Sequence, residues 1–160
     1  MNANKILNIG YSASVAQAGS FNGTEEVWKR LEEMPRNSTP TTIAEAIHRY
    51  AAPVYSAKIS SGNAVMRYLV AGLEEDGTPA IRWLEFDRDN FGGVIGPGQI
   101  VAIGTLPNTQ DIAMQAIAES LKVCSNTVML DKWCSIVVGA EAAATPQAVG
   151  FPGVIILMKG

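Results

Sequence analysis

The sequence predicts an α+β domain, because strand-like segments come in runs and helix-like segments come in pairs. Short apolar or alternating segments give way to longer ones whose apolar residues recur at helical spacing. The resulting order is strand, strand, helix, helix, strand, strand, strand, helix, helix, strand, which favours α+β layers over an alternating α/β fold. The 160 residues, of which 48% are hydrophobic, suffice for a single domain spanning 1–160 with a sizeable core.

The first three predicted elements are two strands and a helix. Residues 5–9 alternate polar and apolar side chains, Gly10 interrupts the run, and small residues continue it over 11–18. One apolar and one charged face indicate a helix over 24–34, and Pro35 ends it. Its apolar face consists of Val27, Trp28, Leu31 and Met34.

The second predicted helix covers 41–57. Its start matches a capping box, in which the Thr42 hydroxyl and the Glu45 carboxylate would each satisfy a free backbone amide. Pro53 is expected to kink or shorten the last turn, because proline removes a backbone donor. The predicted buried stripe is Ile43, Ala46, Ile47, Tyr50 and Val54.

A hairpin and a mixed second half complete the prediction. Strands 66–73 and 80–86 flank an acidic turn, where Asp76 and Gly77 supply the positive φ that a reversal needs. After them come a glycine-rich loop at 92–98, a short buried strand at 99–104, helices over 109–124 and 127–144, and a closing strand at 153–158. The glycine-rich loop lacks the features of a phosphate loop and of a dinucleotide motif, so no cofactor is expected.

Composition narrows the classes of function. A net charge of −3 and a pI of about 5.1 argue against nucleic-acid binding, which needs a basic stripe. No apolar run is long enough for a membrane span and the start lacks the features of a signal peptide, so a cytoplasmic protein is expected. Cys124 and Cys134 are then interpreted as buried free thiols, with a redox-linked pair as the alternative. One histidine and two cysteines argue against a zinc site.

A nucleophile–base pair is conceivable between His48 and one of three nucleophilic residues. Those residues are Ser12, Ser14 and Cys124. His48 lies off the buried stripe of its helix, and no serine sits in the glycine-flanked motif that exposes a nucleophile, so a surface histidine is the simpler interpretation.

Two other groups of residues have competing interpretations. Glu74, Glu75 and Asp76 carry oxygen ligands for a cation, but they lack the spacing of a calcium loop and are interpreted as a solvated turn. The tryptophans lie in different elements without interleaved basic residues, which favours core or interface anchors over a stacking platform. They are Trp28, Trp83 and Trp133.

Several segments match a known family in their order. They are the paired strands ending at Gly19, the hairpin 67–81 with its Ala-Gly and acidic turn, the strand end 101–105, and the stretch 149–156 before the last strand. This order resembles the proteasome-like family of N-terminal-nucleophile hydrolases. The resemblance implies a four-layer αββα sandwich, in which two antiparallel sheets lie between two helix pairs.

The catalytic parts of that family have no counterpart in these residues. Its members begin with a threonine, serine or cysteine on an opening hairpin, supported by an aspartate and a lysine. This sequence starts with Met1 and Asn2 and enters at what resembles the third strand, and Val149 stands where the family often has a hydroxyl. Thr105 alone resembles a supporting residue, so the catalytic residues are unknown.

The resemblance therefore implies a non-catalytic or truncated proteasome-like subunit that self-assembles. A missing hairpin would leave a sheet edge and apolar surface for a second copy or a partner subunit to cover. Two alternatives stay open. One is an amide-bond hydrolase whose nucleophile comes from a partner or an upstream segment, and the other is a small-molecule-binding module with a pocket near 92–98.

Overall fold

The computed structural model describes residues 6–10, 12–19, 25–59, 66–86, 92–96, 101–104, 108–123, 139 and 142–143. The backbone divides into two compact units, one of residues 1–99 together with 160 and the other of residues 100–159. The expectation of one domain over 1–160 remains a prediction.

The described residues form one five-stranded antiparallel sheet and three helices, which confirms the α+β class. The second sheet of a four-layer sandwich stays a prediction. The strands follow one another in sequence order, so the first and last are the sheet edges. They are β1 (Ile6–Ile9), β2 (Ala13–Gly19), β3 (Met66–Leu73), β4 (Pro79–Glu85) and β5 (Gly93–Ile95).

The edge strand β5 corrects the predicted loop at 92–98, since Gly93–Ile95 pairs with β4. The β-branched Val94 and Ile95 extend the sheet, and Gly92 makes the close approach possible. At Gly92, with φ of +135°, an added Cβ would lie 2.2 Å from the carbonyl oxygen of Trp83. Residues outside 92–96 of that loop lie beyond the described range.

The predicted strand at 99–104 is wrong for residues 101–104, which form no strand. There the backbone amide of Ala102 donates to Oε1 of Gln110 at 2.6 Å. The Gln110 side chain of the following helix thus accepts the hydrogen bond that the Ala102 amide would donate to a neighbouring strand if this segment were part of a sheet.

The helices are α1 (Glu25–Glu32), α2 (Pro40–Ile59) and α3 (Thr109–Val123), close to the predicted spans. The chain forms α1 and α2 between β2 and β3, and α2 packs on β3 and β4 while α1 packs on α2 and β1. Gly139 and residues 142–143 are helical, within the predicted fourth helix. The rest of that helix and the predicted strand at 153–158 lie outside the described residues.

The start of α2 differs from the predicted capping box. The amide of Thr39 donates to the Thr42 hydroxyl at 2.9 Å, and the amide of Thr42 donates to the Thr39 hydroxyl at 3.3 Å. Thr39 is therefore the N-cap, Pro40 takes the first helical position that proline favours, and Glu45 is exposed. Pro53 does not shorten the helix, which continues to Ile59.

The core lies between the helix pair and one face of the sheet. The predicted face of α1 is confirmed, since Val27, Trp28 and Leu31 are buried. On α2 the predicted Ile43 and Ile47 are fully buried, as is Ala51, which the prediction missed. The strand residues of this core are Ile9, Ala13, Val15, Met66, Tyr68, Val70 and Leu84, with Phe86 just beyond β4. Among the described helices, none is long and apolar enough to cross a membrane.

Candidate functional site

The sheet face turned away from α1 and α2, here called the second face, is the main candidate surface. Successive strand residues point to opposite faces, so Leu69 and Ala71 of β3 point away from the core that holds Tyr68 and Val70. The register places Trp83 beside Leu69 and Ile81 beside Ala71. The centre of the second face is therefore apolar.

The second face also carries a buried ion pair. Arg67 and Glu85 are register partners, and Nε of Arg67 lies 3.6 Å from Oε1 of Glu85. Their side chains are 7% and 16% exposed, respectively. Removing a charge from water costs several kcal/mol, and the attraction between these two charges offsets part of that cost. This end of the second face is shielded from solvent.

The β4–β5 edge of the sheet is more open to solvent than the part that holds Arg67 and Glu85. Ile81 is 39% exposed and Val94 is 59% exposed, and the two point to opposite faces of adjacent strands. β5 has the sequence Gly-Val-Ile and carries no charged side chain. An edge strand presents unpaired backbone N–H and C=O groups to which another chain can bind, and natural proteins commonly protect such edges with charged side chains. Because β5 has no charged side chain, it is a template for pairing with another chain.

A polar cluster joins the β3–β4 hairpin to the start of α2. The Thr41 hydroxyl donates to Oε1 of Glu74 at 2.7 Å, and Nη2 of Arg82 donates to the same oxygen at 3.0 Å. Nη2 of Arg82 also donates to the Thr41 hydroxyl. Burial acts to raise the pKa of Glu74, but the hydrogen bonds from Thr41 and Arg82 outweigh it and hold that pKa below its ordinary value. The cluster ties the hairpin to the helix and satisfies an N-terminal amide of α2, so its role is structural.

A cleft of ≈ 400 Å³ opens between α1 and α2. Arg30 of α1 and Arg49 of α2 each contribute a guanidinium group to its walls, and the two carboxylates belong to Glu45 of α2 and to Glu33, just after α1. The lining residues are Arg30, Glu33, Met34, Pro35, Thr42, Glu45, Ala46, Arg49 and Tyr50.

The structure does not bring His48 together with either serine. The Ser14 hydroxyl donates to Oδ1 of Asn8 at 2.7 Å on the second face, whereas His48 lies against Phe86 on the core side, with ring centroids 6.0 Å apart. Ser12 lies beside Leu73 at one end of β3, where its carbonyl accepts a hydrogen bond from the Leu73 amide. Phe86, the neighbour of His48, bonds to Met66 at the other end of β3. These two ends are roughly 20 Å apart, at about 3.3 Å per strand residue. His48 is exposed, which confirms the surface histidine. Cys124, Cys134 and Thr105 lie outside the described residues.

The acidic turn is occupied by internal contacts. Glu74 pairs with Arg82, while the Thr78 amide and hydroxyl donate to Asp76 at 2.9 and 2.6 Å and lower the pKa of Asp76. In the described ranges, no three His, Cys, Asp or Glu side chains are grouped to hold a metal ion.

The two tryptophans within the described residues lie on opposite sides of the sheet. Trp28 is buried in the core as predicted, Trp83 is half-buried on the second face, and Trp133 is outside the described residues.

No protein-family model matches the sequence, and no curated protein was found to be similar to it.

Proposed function

We propose that the chain is a non-catalytic subunit of proteasome-like build that assembles with copies of itself. The observation that carries the proposal is a sheet with a helix pair on one face, a second face whose centre is apolar, and an uncharged edge strand. This chemistry suits a structural unit that buries surface against further layers and other subunits.

The first support is the arrangement of the N-terminal unit. Two strands, two helices and two strands, with α1 and α2 on the same face, correspond to one half of an αββα sandwich. In such a fold a second antiparallel sheet would lie on the second face, against Leu69 and Trp83. The apolar character of that face fits this expectation, since apolar surface is rarely left in large contiguous patches.

The second support is the β4–β5 edge. Ile81 and Val94 together expose apolar surface on both sides of an edge whose last strand has no charge to repel a neighbour. A second copy can add a strand there through backbone hydrogen bonds, with Val94 covered in the contact. The low charged fraction of 17% is consistent with surface that is covered in an assembly.

The alternative of an amide-bond hydrolase takes its nucleophile from a partner or an upstream segment, so the separation of His48 from Ser12 and Ser14 does not bear on it, and no contact among the described residues favours it. The alternative of a small-molecule module near 92–98 is weakened for residues 93–95, which form an edge strand rather than a pocket loop.

The proposal is tested by sedimentation velocity on the full chain over a range of concentrations, together with Val94→Lys. The wild type is expected to associate, and a lysine on the edge should weaken association at least about tenfold, because a desolvated charge costs more than 1.4 kcal/mol. Asn37→Lys is the control, since Asn37 is exposed and follows Arg36, which lies against the β1–β2 turn on the opposite side of the sheet from β5.

A wild-type chain that stays monomeric at every concentration would contradict self-assembly. Equal weakening by both lysine variants would contradict the β5 contact. Amide-bond cleavage by the purified chain, in a panel of peptide and small-amide substrates, would contradict the non-catalytic assignment.

A further inference from the structure

The hydrogen-bond pattern of the sheet determines which backbone groups of β5 face its open edge. In the β3–β4 ladder the amide of Phe86 donates to the carbonyl of Met66 at 3.0 Å, so these two residues form a hydrogen-bonded pair. Bonded and non-bonded pairs alternate along an antiparallel ladder, so Arg82 is bonded to its register partner Val70. The residues on either side of Arg82 therefore direct their backbone groups toward β5.

Val94 is the residue of β5 whose backbone groups point to the open edge. The β4 residues that face β5 are the register partners of Gly93 and Ile95, so those two residues use their N–H and C=O groups in the β4 ladder. The N–H and C=O of Val94, between them, point away from β4. Val94 is 59% exposed and Gly93 is also exposed, so this donor and this acceptor are accessible to another strand.

A second copy of β5 fits this edge because β5 does not repel itself. A copy brings the same side chains, so a charged residue on a self-pairing strand would lie close to its own like charge. Residues 92–96 are three glycines, a valine and an isoleucine, and carry no charge. All pairings among the described strands are antiparallel, and a two-fold axis relates two identical strands in that same orientation.

We propose that two copies of the chain pair through β5 about a two-fold axis at Val94, which joins the two five-stranded sheets into one antiparallel sheet. Val94 of each copy donates its N–H to the C=O of Val94 in the other copy. This inference rests on the proposed self-assembly and adds the register to it. Because the same edge of both copies is used, the contact is complete with two chains and cannot add a third.

The same register accounts for an unusual contact of Gly93. A Cβ added to Gly93 would lie 3.0 Å from Nε1 of Trp83, so the indole ring lies over Gly93 on the second face. In the proposed dimer, Ile95 of the second copy lies opposite Gly93, next to that ring. The contact therefore buries apolar surface on the second face in addition to its backbone hydrogen bonds.

The register is tested by charge complementation, with sedimentation velocity on the full chain. Val94→Lys and Val94→Glu are measured separately and as an equimolar mixture. Alone, each variant places two like charges opposite each other at the two-fold axis and should associate at least about tenfold more weakly than the wild type. In the mixture a lysine faces a glutamate, so the mixed dimer should form about tenfold more tightly than either variant alone dimerises.

The role of the Val94 backbone is tested by Val94→Pro, with Val94→Thr as the matched control. Proline removes the N–H that points to the open edge and leaves the hydrogen bonds from β5 to β4 in place. Threonine keeps that N–H and the β-branched shape. Val94→Pro should weaken association at least about tenfold, because both central hydrogen bonds of the dimer are lost, whereas Val94→Thr should associate as the wild type does. Circular dichroism of both variants will show that each is folded.

The possible outcomes separate this inference from the proposed function. A wild type that associates, with no gain in the lysine–glutamate mixture, would overturn the two-fold register and leave self-assembly in place. Association of Val94→Pro as tight as that of Val94→Thr would show that another surface joins the copies. A wild type that is monomeric at every concentration would contradict the self-assembly itself, and this inference with it.

Discussion

The turn between β1 and β2 offers the sharpest single-methyl test of the described packing. Gly10 has φ of +63°, and a Cβ added there would lie 1.8 Å from the backbone oxygen of Arg36, in the segment after α1. Gly77, at the tip of the β3–β4 hairpin, has φ of +81° but no atom within 4 Å of an added Cβ. Gly10→Ala and Gly77→Ala therefore share the backbone strain and differ in the steric clash.

The magnitudes follow from these two contributions. A left-handed conformation costs an alanine about 1–2 kcal/mol, which is the whole effect expected for Gly77→Ala. At Gly10 the Cβ and the carbonyl oxygen must separate by more than about 1 Å, and overpacking of this kind costs roughly 1–3 kcal/mol in addition. Gly10→Ala is thus expected to lower the free energy of unfolding by about 2–5 kcal/mol.

Urea denaturation followed by circular dichroism measures both variants against the wild type, with the difference obtained from the midpoints at a common slope. The expected order of stability is wild type, Gly77→Ala, Gly10→Ala. If Gly10→Ala were as stable as Gly77→Ala, the turn would not contact Arg36 as described, and the packing of β1 against the end of α1 would have to be revised.

The remaining predictions concern buried and partly buried polar groups. Glu85→Gln should lower the unfolding free energy by about 3 kcal/mol in urea, because it removes the carboxylate that lies 3.6 Å from the buried Arg67 guanidinium, whereas Glu33→Gln in the exposed pair should change it by less than about 1 kcal/mol; equal effects would contradict the burial of the Arg67 pair. Tyr68→Phe should leave stability unchanged or raise it by about 1 kcal/mol, because the Tyr68 hydroxyl is buried without a hydrogen-bond partner in the described residues; a clear loss of stability would reveal a partner. Glu74→Gln should lower the melting temperature at pH 7. The pKa of Glu74 is lower in the folded state than its ordinary value of 4.5, so the carboxylate stabilises the fold above about pH 4.5 and this stabilisation is lost as the pH falls through the folded pKa. The difference between variant and wild type should therefore shrink in acid, and a difference that is constant down to pH 2 would contradict the role of the carboxylate.

Much of the N-terminal unit was predictable because local signals agree with tertiary packing. Val27, Trp28 and Leu31 recur at helical spacing on α1, and the structure buries all three. Asp76 and Gly77 similarly located the hairpin turn, since the positive φ of Gly77 is the feature that such a turn requires.

The errors arose where two local signals competed. The sequence of Thr42 and Glu45 matches a capping box, but in the structure Thr39 and Thr42 make the reciprocal hydrogen bonds instead. Proline favours the first helical position, so Pro40 starts the helix and Thr39, the residue before it, is the N-cap. At β5 the glycines indicated a loop, whereas pairing with β4 made them part of an edge.

The polar clusters were beyond prediction from the sequence because they depend on long-range register. Thr41 and Glu74 are 33 residues apart and meet only when α2 packs on the hairpin. Arg67 and Glu85 had a weaker signal, since both are charged residues in otherwise apolar strands, but their pairing required the exact register of β3 and β4.

The most direct test of the central claim is an experimental structure of the full chain in its natural assembly. Our proposal predicts a second antiparallel sheet against Leu69 and Trp83, a second helix pair beyond it, and a neighbouring subunit at Val94. A second face covered by helices or left open to solvent, in a chain that stays monomeric, would contradict the proteasome-like build and the assembly together.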